Sequence, residues 1–136
     1  MSVKERWKYN NTCVYNCGYH LIWCSKYRRK VLVDGVDLRL KELLMDKAKE
    51  INIEIQQMEV MPEHVHLFIH AKPIHPPHHI VGQLKGYTSR ILRKEFHWLT
   101  TKLPTLWTRS YYVETVGHIS QLTIENYIKD QKTKQD

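Results

Sequence analysis

Glycine and proline are scarce in this chain, five of each in 136 residues, and cysteine is scarcer still, with three. So little Gly and Pro excludes collagen-like and low-complexity classes, and 42% hydrophobic content excludes a wholly disordered chain. No stretch approaches the run of about 18 apolar residues that a membrane span needs. The first residues, Met1 to Tyr9, carry Lys4, Arg6 and Lys8 with no apolar run behind them, so no membrane contact and a cytoplasmic location are expected. Cys13, Cys17 and Cys24 are odd in number and crowded together, which is not a disulfide framework. Free thiols in a reducing compartment follow. Cys13 and Cys17 could form half of a zinc site, but without a second pair they are better placed as buried thiols on a strand. The scattered glycines form no P-loop, so a nucleotide-driven reaction is not indicated.

Acidic residues are outnumbered, fourteen against twenty-one Lys and Arg, for a formal charge of +7. Such a surplus attracts polyanions at long range, and nucleic acid is the first partner to consider. The length suits a single domain, residues 1–136, that buries roughly two-thirds of its unfolded surface in one core. Nine histidines then raise the question of where they sit.

From Cys13 to Cys24 the run CVYNCGYHLIWC mixes aromatic, aliphatic and Cys side chains, with Tyr15, Cys17, Tyr19, Leu21 and Trp23 on one face at period two. This predicts a strand covered on both faces. A basic segment, Ser25 to Arg29, follows, and Asp34 or Asp37 is the expected cap of a helix running to about Ile51. Val36, Leu40, Leu43, Leu44, Ala48 and Ile51 form its apolar stripe. Ile53 to Met61 and His64 to Ala71 read as strands joined by the Pro62-Glu63 corner into an antiparallel hairpin. Beyond the Pro- and His-rich segment Lys72 to His79, residues Ile80, Leu84, Tyr87 and Ile91 predict a second helix to about Phe96. Lys85, Arg90, Arg93 and Lys94 would give it a basic outer face. A looser stretch around Leu103-Pro104 leads to a short strand, Ser110 to Thr115. Gly117 then allows a bend, Ser120 can cap, and Gln121 to about Gln131 predicts a final helix. The order βαββαβ plus one helix is the ferredoxin-like, split βαβ arrangement of the α+β class: an antiparallel sheet with its two main helices on one face. That fold hosts many functions, so the activity must be argued from a site.

His64-Val65-His66 offers one. On a strand, alternate side chains share a face, so the two imidazoles project together while Val65 goes to the other side. Two soft-to-borderline nitrogen donors on adjacent rungs can share a divalent ion and leave positions open for a substrate oxygen. A pair of exposed strand histidines would look the same in sequence. On the last helix, Tyr127 and Gln131 are four apart and face one way, so a phenol oxygen and an amide carbonyl could approach one ion together. Tyr127 could then attack phosphorus, provided the site favours its phenolate; equally, it could pack with Ile124 and Ile128 as part of an apolar helix face. Glu63 sits beside His64 but by strand alternation points away from the histidine face, and His20 and His118 have no visible partner.

Taken together, YHLIWCSKYRRKVL at Tyr19 to Leu32, MPEHVHLF at Met61 to Phe68, and Tyr127 four before Gln131 resemble the single-tyrosine HUH transposases of the smallest insertion sequences. The resemblance spans roughly residues 15 to 131, with the three motifs in family order, and is far more specific than H-x-H alone. It implies a metal-dependent strand transferase that excises and inserts single-stranded DNA. His64 and His66 match the HUH metal ligands, Gln131 the third ligand and Tyr127 the nucleophile. The implied cofactor is Mg²⁺ or Mn²⁺, and the implied intermediate is a 5′-phosphotyrosine link with a free 3′-hydroxyl. The implied partners are DNA hairpins near the element ends and a second copy of the chain, in a homodimer whose final helices complete each other's sites. Lys26, Arg28 and Arg29 after the first strand, with Lys85 and Arg90 on the second helix, are candidate phosphate contacts; a solvated charge run is the plainer alternative. The histidines from His75 to His79 lie outside the family pattern.

Two other functions remain open from sequence. A rolling-circle initiator or relaxase-like nickase uses the same HUH and Tyr chemistry but usually carries further domains. A non-catalytic nucleic-acid binder of ferredoxin-like fold would stack bases on Tyr15, Tyr19 and Trp23.

Overall fold

The structure, a computed structural model, describes residues 8–9, 14–15, 17–72 and 75–116. Two short strands, β1 (Lys8–Tyr9) and β2 (Val14–Tyr15), pair antiparallel with each other. They are followed by β3 (Cys17–Cys24), a 3₁₀ turn (Lys26–Arg28), α1 (Val36–Glu50), β4 (Glu54–Met61), β5 (His64–Ala71), α2 (Pro77–Glu95), α3 (Trp98–Lys102) and β6 (Tyr112–Val116). The main sheet has the order β4-β5-β3-β6, every neighbouring pair antiparallel. This is the ferredoxin-like order that the element sequence predicts, with β5 inserted between the strands that α1 connects.

The core lies between the sheet and its helices. Tyr19, Leu21 and Trp23 from β3 and Val65, Leu67, Ile69 and Ala71 from β5 pack in one cluster with Val36, Leu40, Leu43, Leu44 and Ala48 of α1. Period two on the strands meets the three- and four-residue spacing on the helix, so each element gives one face to the same interior. On α2 the buried stripe is Ile80, Val81, Leu84, Thr88 and Leu92, while Tyr87 and Ile91 are only half-buried. Thr88 tolerates burial because its hydroxyl donates to the Leu84 carbonyl at 2.8 Å and accepts the Trp107 indole N–H at 3.1 Å. The Trp107 ring stands edge-on to Trp23, 5.9 Å between centroids, and so ties the segment before β6 to the central strand.

Local details depart from the sequence expectations. Neither Asp34 nor Asp37 caps α1: the N-cap is Gly35 at φ 96°, with no side-chain cap bond. Asp34 (φ 54°) and Gly35 are both left-handed and turn the chain into the helix, with the Phe96 ring 3.6 Å from where a Gly35 Cβ would stand. Helix α2 starts earlier than the apolar periodicity shows, because Pro77 occupies its first turn, where a missing N–H costs nothing. The stretch before Leu103-Pro104 holds α3, and β1 with β2 form a ribbon that sequence did not indicate. Strand β4 carries an irregularity between Ile55 and Gln57. The expected final helix from Gln121 to about Gln131, with Gly117, Ser120, His118, Tyr127 and Gln131, lies outside the described residues, as does Cys13.

Candidate active site

The sheet face turned away from α1 and α2 carries a different chemistry. On β5 that face presents His64, His66, Phe68 and His70, each less than a tenth exposed. Opposite them on β3 stand Cys24, Ile22, His20 and Gly18 in turn. Strand alternation therefore places His64 and His66 side by side, as the spacing predicts, with ring centroids 4.5 Å apart. The pair is buried rather than exposed, at 4% and 3%. This removes the reading of two solvated strand histidines.

Burial also sets their charge. Removal from water disfavours the imidazolium, so His66 is pushed down to about 3, with the nearby His64 and His20 adding to the effect. His64 is lowered by burial and by Arg28, against the opposing pull of the Glu63 carboxylate. Neutral imidazoles are the form that binds metal. Nδ1 of His66 is buried with no hydrogen-bond partner among the described residues, a costly state unless something accepts its lone pair or its proton. Two adjacent neutral imidazoles, each with a buried Nδ1 that makes no hydrogen bond among the described residues, fit part of a divalent-ion site. Among the described residues no group of three His, Cys, Asp or Glu side chains is placed to hold a metal ion. Gln131, the candidate third ligand, and Tyr127, the candidate nucleophile, lie outside the described residues.

Two residues that sequence reasoning set aside belong to this cluster. His20 is 1% exposed and stacks on His66, with 5.9 Å between centroids and 25° between planes. It stands opposite Glu114 of β6 in the register, and the Tyr112 ring meets it edge-on at 6.0 Å. Burial lowers its pKa, with Glu114 pulling the other way. Its partners become visible only once the order β5-β3-β6 is known; the one sequence signal is a histidine on the alternate face of an otherwise apolar central strand. Glu63 corrects the alternation argument. It belongs to the turn between β4 and β5, where strand alternation does not hold, and its Oε1 lies 2.9 Å from His64 Nδ1 with only 4% of the residue exposed.

The basic segment after β3 is fastened beside this site. The Ser25 N–H donates to the Glu63 carbonyl at 2.9 Å, and the Ser25 hydroxyl to the Arg29 and Glu63 carbonyls at 2.5 and 3.2 Å. The Leu32 N–H donates to the Pro62 carbonyl at 2.9 Å. These bonds fix the loop to the hairpin turn that precedes His64. Tyr27 and Arg28 adopt left-handed backbone there, leaving Tyr27, Arg28 and Arg29 exposed, with the Lys26 ammonium 5.2 Å over the Tyr27 ring. The other two candidate phosphate contacts lie on α2. Arg90 is exposed beside the Tyr87 ring, whereas the half-buried Lys85 donates to the Thr108 carbonyl at 2.6 Å and the Ser110 carbonyl at 3.3 Å, fastening the approach to β6. Two of the three aromatics that a simple binder would use, Tyr19 and Trp23, sit in the core, 9% and 1% exposed.

A ferredoxin-like sheet with helices on one face and paired neutral imidazoles on the other defines an α+β protein with a candidate metal-binding face. More particularly, residues 13–131 match the family model described as IS200-like transposase, and the chain belongs to that family. It is 41% identical over 124 residues to the ISDra2 transposase TnpA of Deinococcus radiodurans, spanning 90% of this chain and 89% of the relative. It is 31% identical over 119 residues to the transposase for insertion sequence element IS200 of Salmonella typhimurium, spanning 86% and 78%. A crystal structure of a D. radiodurans transposase superposes at a TM-score of 0.76 and 41% identity, covering 91% of this chain and 97% of that one. A REP-associated tyrosine transposase bound to a REP hairpin shares the fold, with a TM-score of 0.61, 12% identity and coverage of 89% and 67%.

Proposed function

We propose that this transposase cleaves and rejoins single-stranded DNA at hairpin-marked element ends, with Tyr127 as nucleophile and a divalent ion, Mg²⁺ or Mn²⁺, held by His64, His66 and Gln131. The observation that carries the reading is the buried, neutral His64–His66 pair, ring to ring at 4.5 Å on the sheet face away from the core helices. Membership of the IS200-like family supports it, and the hairpin bound to the REP-associated transposase supports the class of DNA. Among the described residues no helix is long and apolar enough to cross a membrane.

A bound divalent ion supplies charge withdrawal from the scissile phosphate and helps align it for in-line attack. The Tyr127 oxygen forms a bond to phosphorus as the P–O3′ bond breaks, and the phenolic proton balances the released 3′-hydroxyl. The DNA is left joined through its 5′-phosphate to Tyr127. A 3′-hydroxyl then attacks that link, restores a phosphodiester and returns the phenol. One phosphoester replaces another at each step, so no nucleotide is consumed. Arg28 and Arg29, on the loop pinned beside His64, hold the strand through its phosphates, with Lys26; Arg90 contacts DNA from the helix layer. Lys85 contributes least, since its ammonium already serves backbone carbonyls.

With Mn²⁺ and a single-stranded hairpin oligonucleotide, the wild type should leave a covalent protein–DNA band on a denaturing gel, and Tyr127→Phe should leave none while still binding the hairpin. A band surviving in Tyr127→Phe would remove Tyr127 from the mechanism, and no band in the wild type would favour a plain binder. The chain is further proposed to act as a homodimer with shared sites. Mixing His64→Ala with Tyr127→Phe protomers should then restore cleavage at about a quarter of sites after random subunit exchange. A mixture that stays inactive despite exchange would assign each Tyr to its own chain.

A further inference from the structure

We propose that Glu63 is a positioning residue for His64: its carboxylate, set against Nδ1, fixes the ring so that Nε2 is the nitrogen offered to a divalent ion. The inference rests on the metal reading of the His64–His66 pair and deepens it.

Three observations converge on Glu63. Its Oε1 lies 2.9 Å from His64 Nδ1, within ion-pair distance but outside hydrogen-bond geometry, so a small rotation of the ring would complete the bond. Both atoms are buried, and the Glu63 residue is 4% exposed. A carboxylate is expensive to bury, and a neutral imidazole alone compensates it poorly. A cation on the opposite ring nitrogen changes that balance, because the imidazole then carries the carboxylate's charge toward the ion and becomes a stronger donor.

The carboxylate is also not needed to shape the turn. Backbone groups do that: the Ser25 N–H and hydroxyl donate to the Glu63 carbonyl, and the Leu32 N–H to the Pro62 carbonyl. The side chain is therefore separable from the turn that carries it. His66 shows the contrast, since its Nδ1 has no partner among the described residues and its ring is held by stacking against His20 instead. One ligand is oriented by a carboxylate, the other by an aromatic neighbour.

The test is Mn²⁺ binding by the full-length protein without DNA, read from the loss of the free-ion electron paramagnetic resonance signal, alongside thermal melts in chelator. Wild type should bind one Mn²⁺ that the double variant His64→Ala/His66→Ala does not. Glu63→Ala should melt cooperatively and bind Mn²⁺ about 10- to 100-fold more weakly, the usual consequence of removing an outer partner of a ligating histidine. Glu63→Gln, whose amide oxygen can still accept from Nδ1, should recover part of that loss yet remain at least about threefold weaker than wild type, having lost the charge. Wild-type affinity in Glu63→Ala overturns the inference while leaving the metal site standing. If Glu63→Ala fails to fold, wild-type affinity in Glu63→Gln overturns it instead. Mn²⁺ binding by wild type that survives loss of both histidines overturns the metal reading, and the role of Glu63 with it.

Discussion

The two faces of β5 are equally buried and chemically opposite. Val65, Leu67, Ile69 and Ala71 enter the core against the helices, while His64, His66, Phe68 and His70 line the other side, and none of the eight exceeds 8% exposure. Burial depth therefore does not tell core from site; the polarity of what is buried does. On the helix side the residues that β5 contributes are all apolar and act through area and packing. On the histidine side, imidazole nitrogens are removed from water without full compensation, a cost that makes sense where a ligand is to be received.

That contrast can be broken by substitution. Leu67→Ala, deleting a fully buried side chain between sheet and helices, should cost about 2–5 kcal/mol of folding stability. A urea melt checks it, and a cost under about 1 kcal/mol would mean that the core repacks around the gap. Next in size is Thr88→Val, which keeps the volume on α2 but removes the acceptor of the Trp107 indole N–H, leaving a buried donor unpaired. About 1–3 kcal/mol should be lost in the same melt, and Thr88→Ser should retain most of the bond. His66→Ala, equally buried on the other face, should change stability by only about 1 kcal/mol in chelator, since it removes an unpartnered nitrogen along with the packing. It should nevertheless abolish metal-dependent cleavage. A loss in stability as large as that of Leu67→Ala would make His66 a core residue first.

The same physics decides which of these features the sequence makes legible. Strand β5 is readable because His64, His66 and His70 alternate with apolar residues, with Phe68 the one apolar residue on their face, and α1 because its apolar stripe is continuous. Periodicity alone places the α2 stripe slightly off, through Tyr87 and Ile91, since a threonine counts as polar unless its two hydrogen-bond partners are known. The cap of α1 is not legible because an Asp side chain is the common solution there, whereas Asp34 and Gly35 solve it with backbone conformation. In the site, His64 and His66 were found because their relation is local. His20 and Glu63 were missed because one acts across the sheet order and the other from a turn, where period two has no meaning.

The smallest expected effect concerns where a single strand lies. Arg28 and Arg29 are exposed on the loop bonded to the turn before His64, and Arg28 is near enough to depress that histidine's pKa. Arg90 is on α2, the layer packed against the opposite face of the sheet. A short oligonucleotide with no hairpin, drawn to the histidine face, can reach the first two and not the third. Each phosphate contact with a single strand contributes about 0.7 to the slope of log K against log salt. The double variant Arg28→Ala/Arg29→Ala should therefore flatten that slope by about 1.4, and Arg90→Ala should leave it unchanged. Titrations at several salt concentrations read both values. Flattening by Arg90→Ala alone would move the bound strand to the helix face, away from the buried imidazoles, and the histidine pair would then need another substrate to explain it.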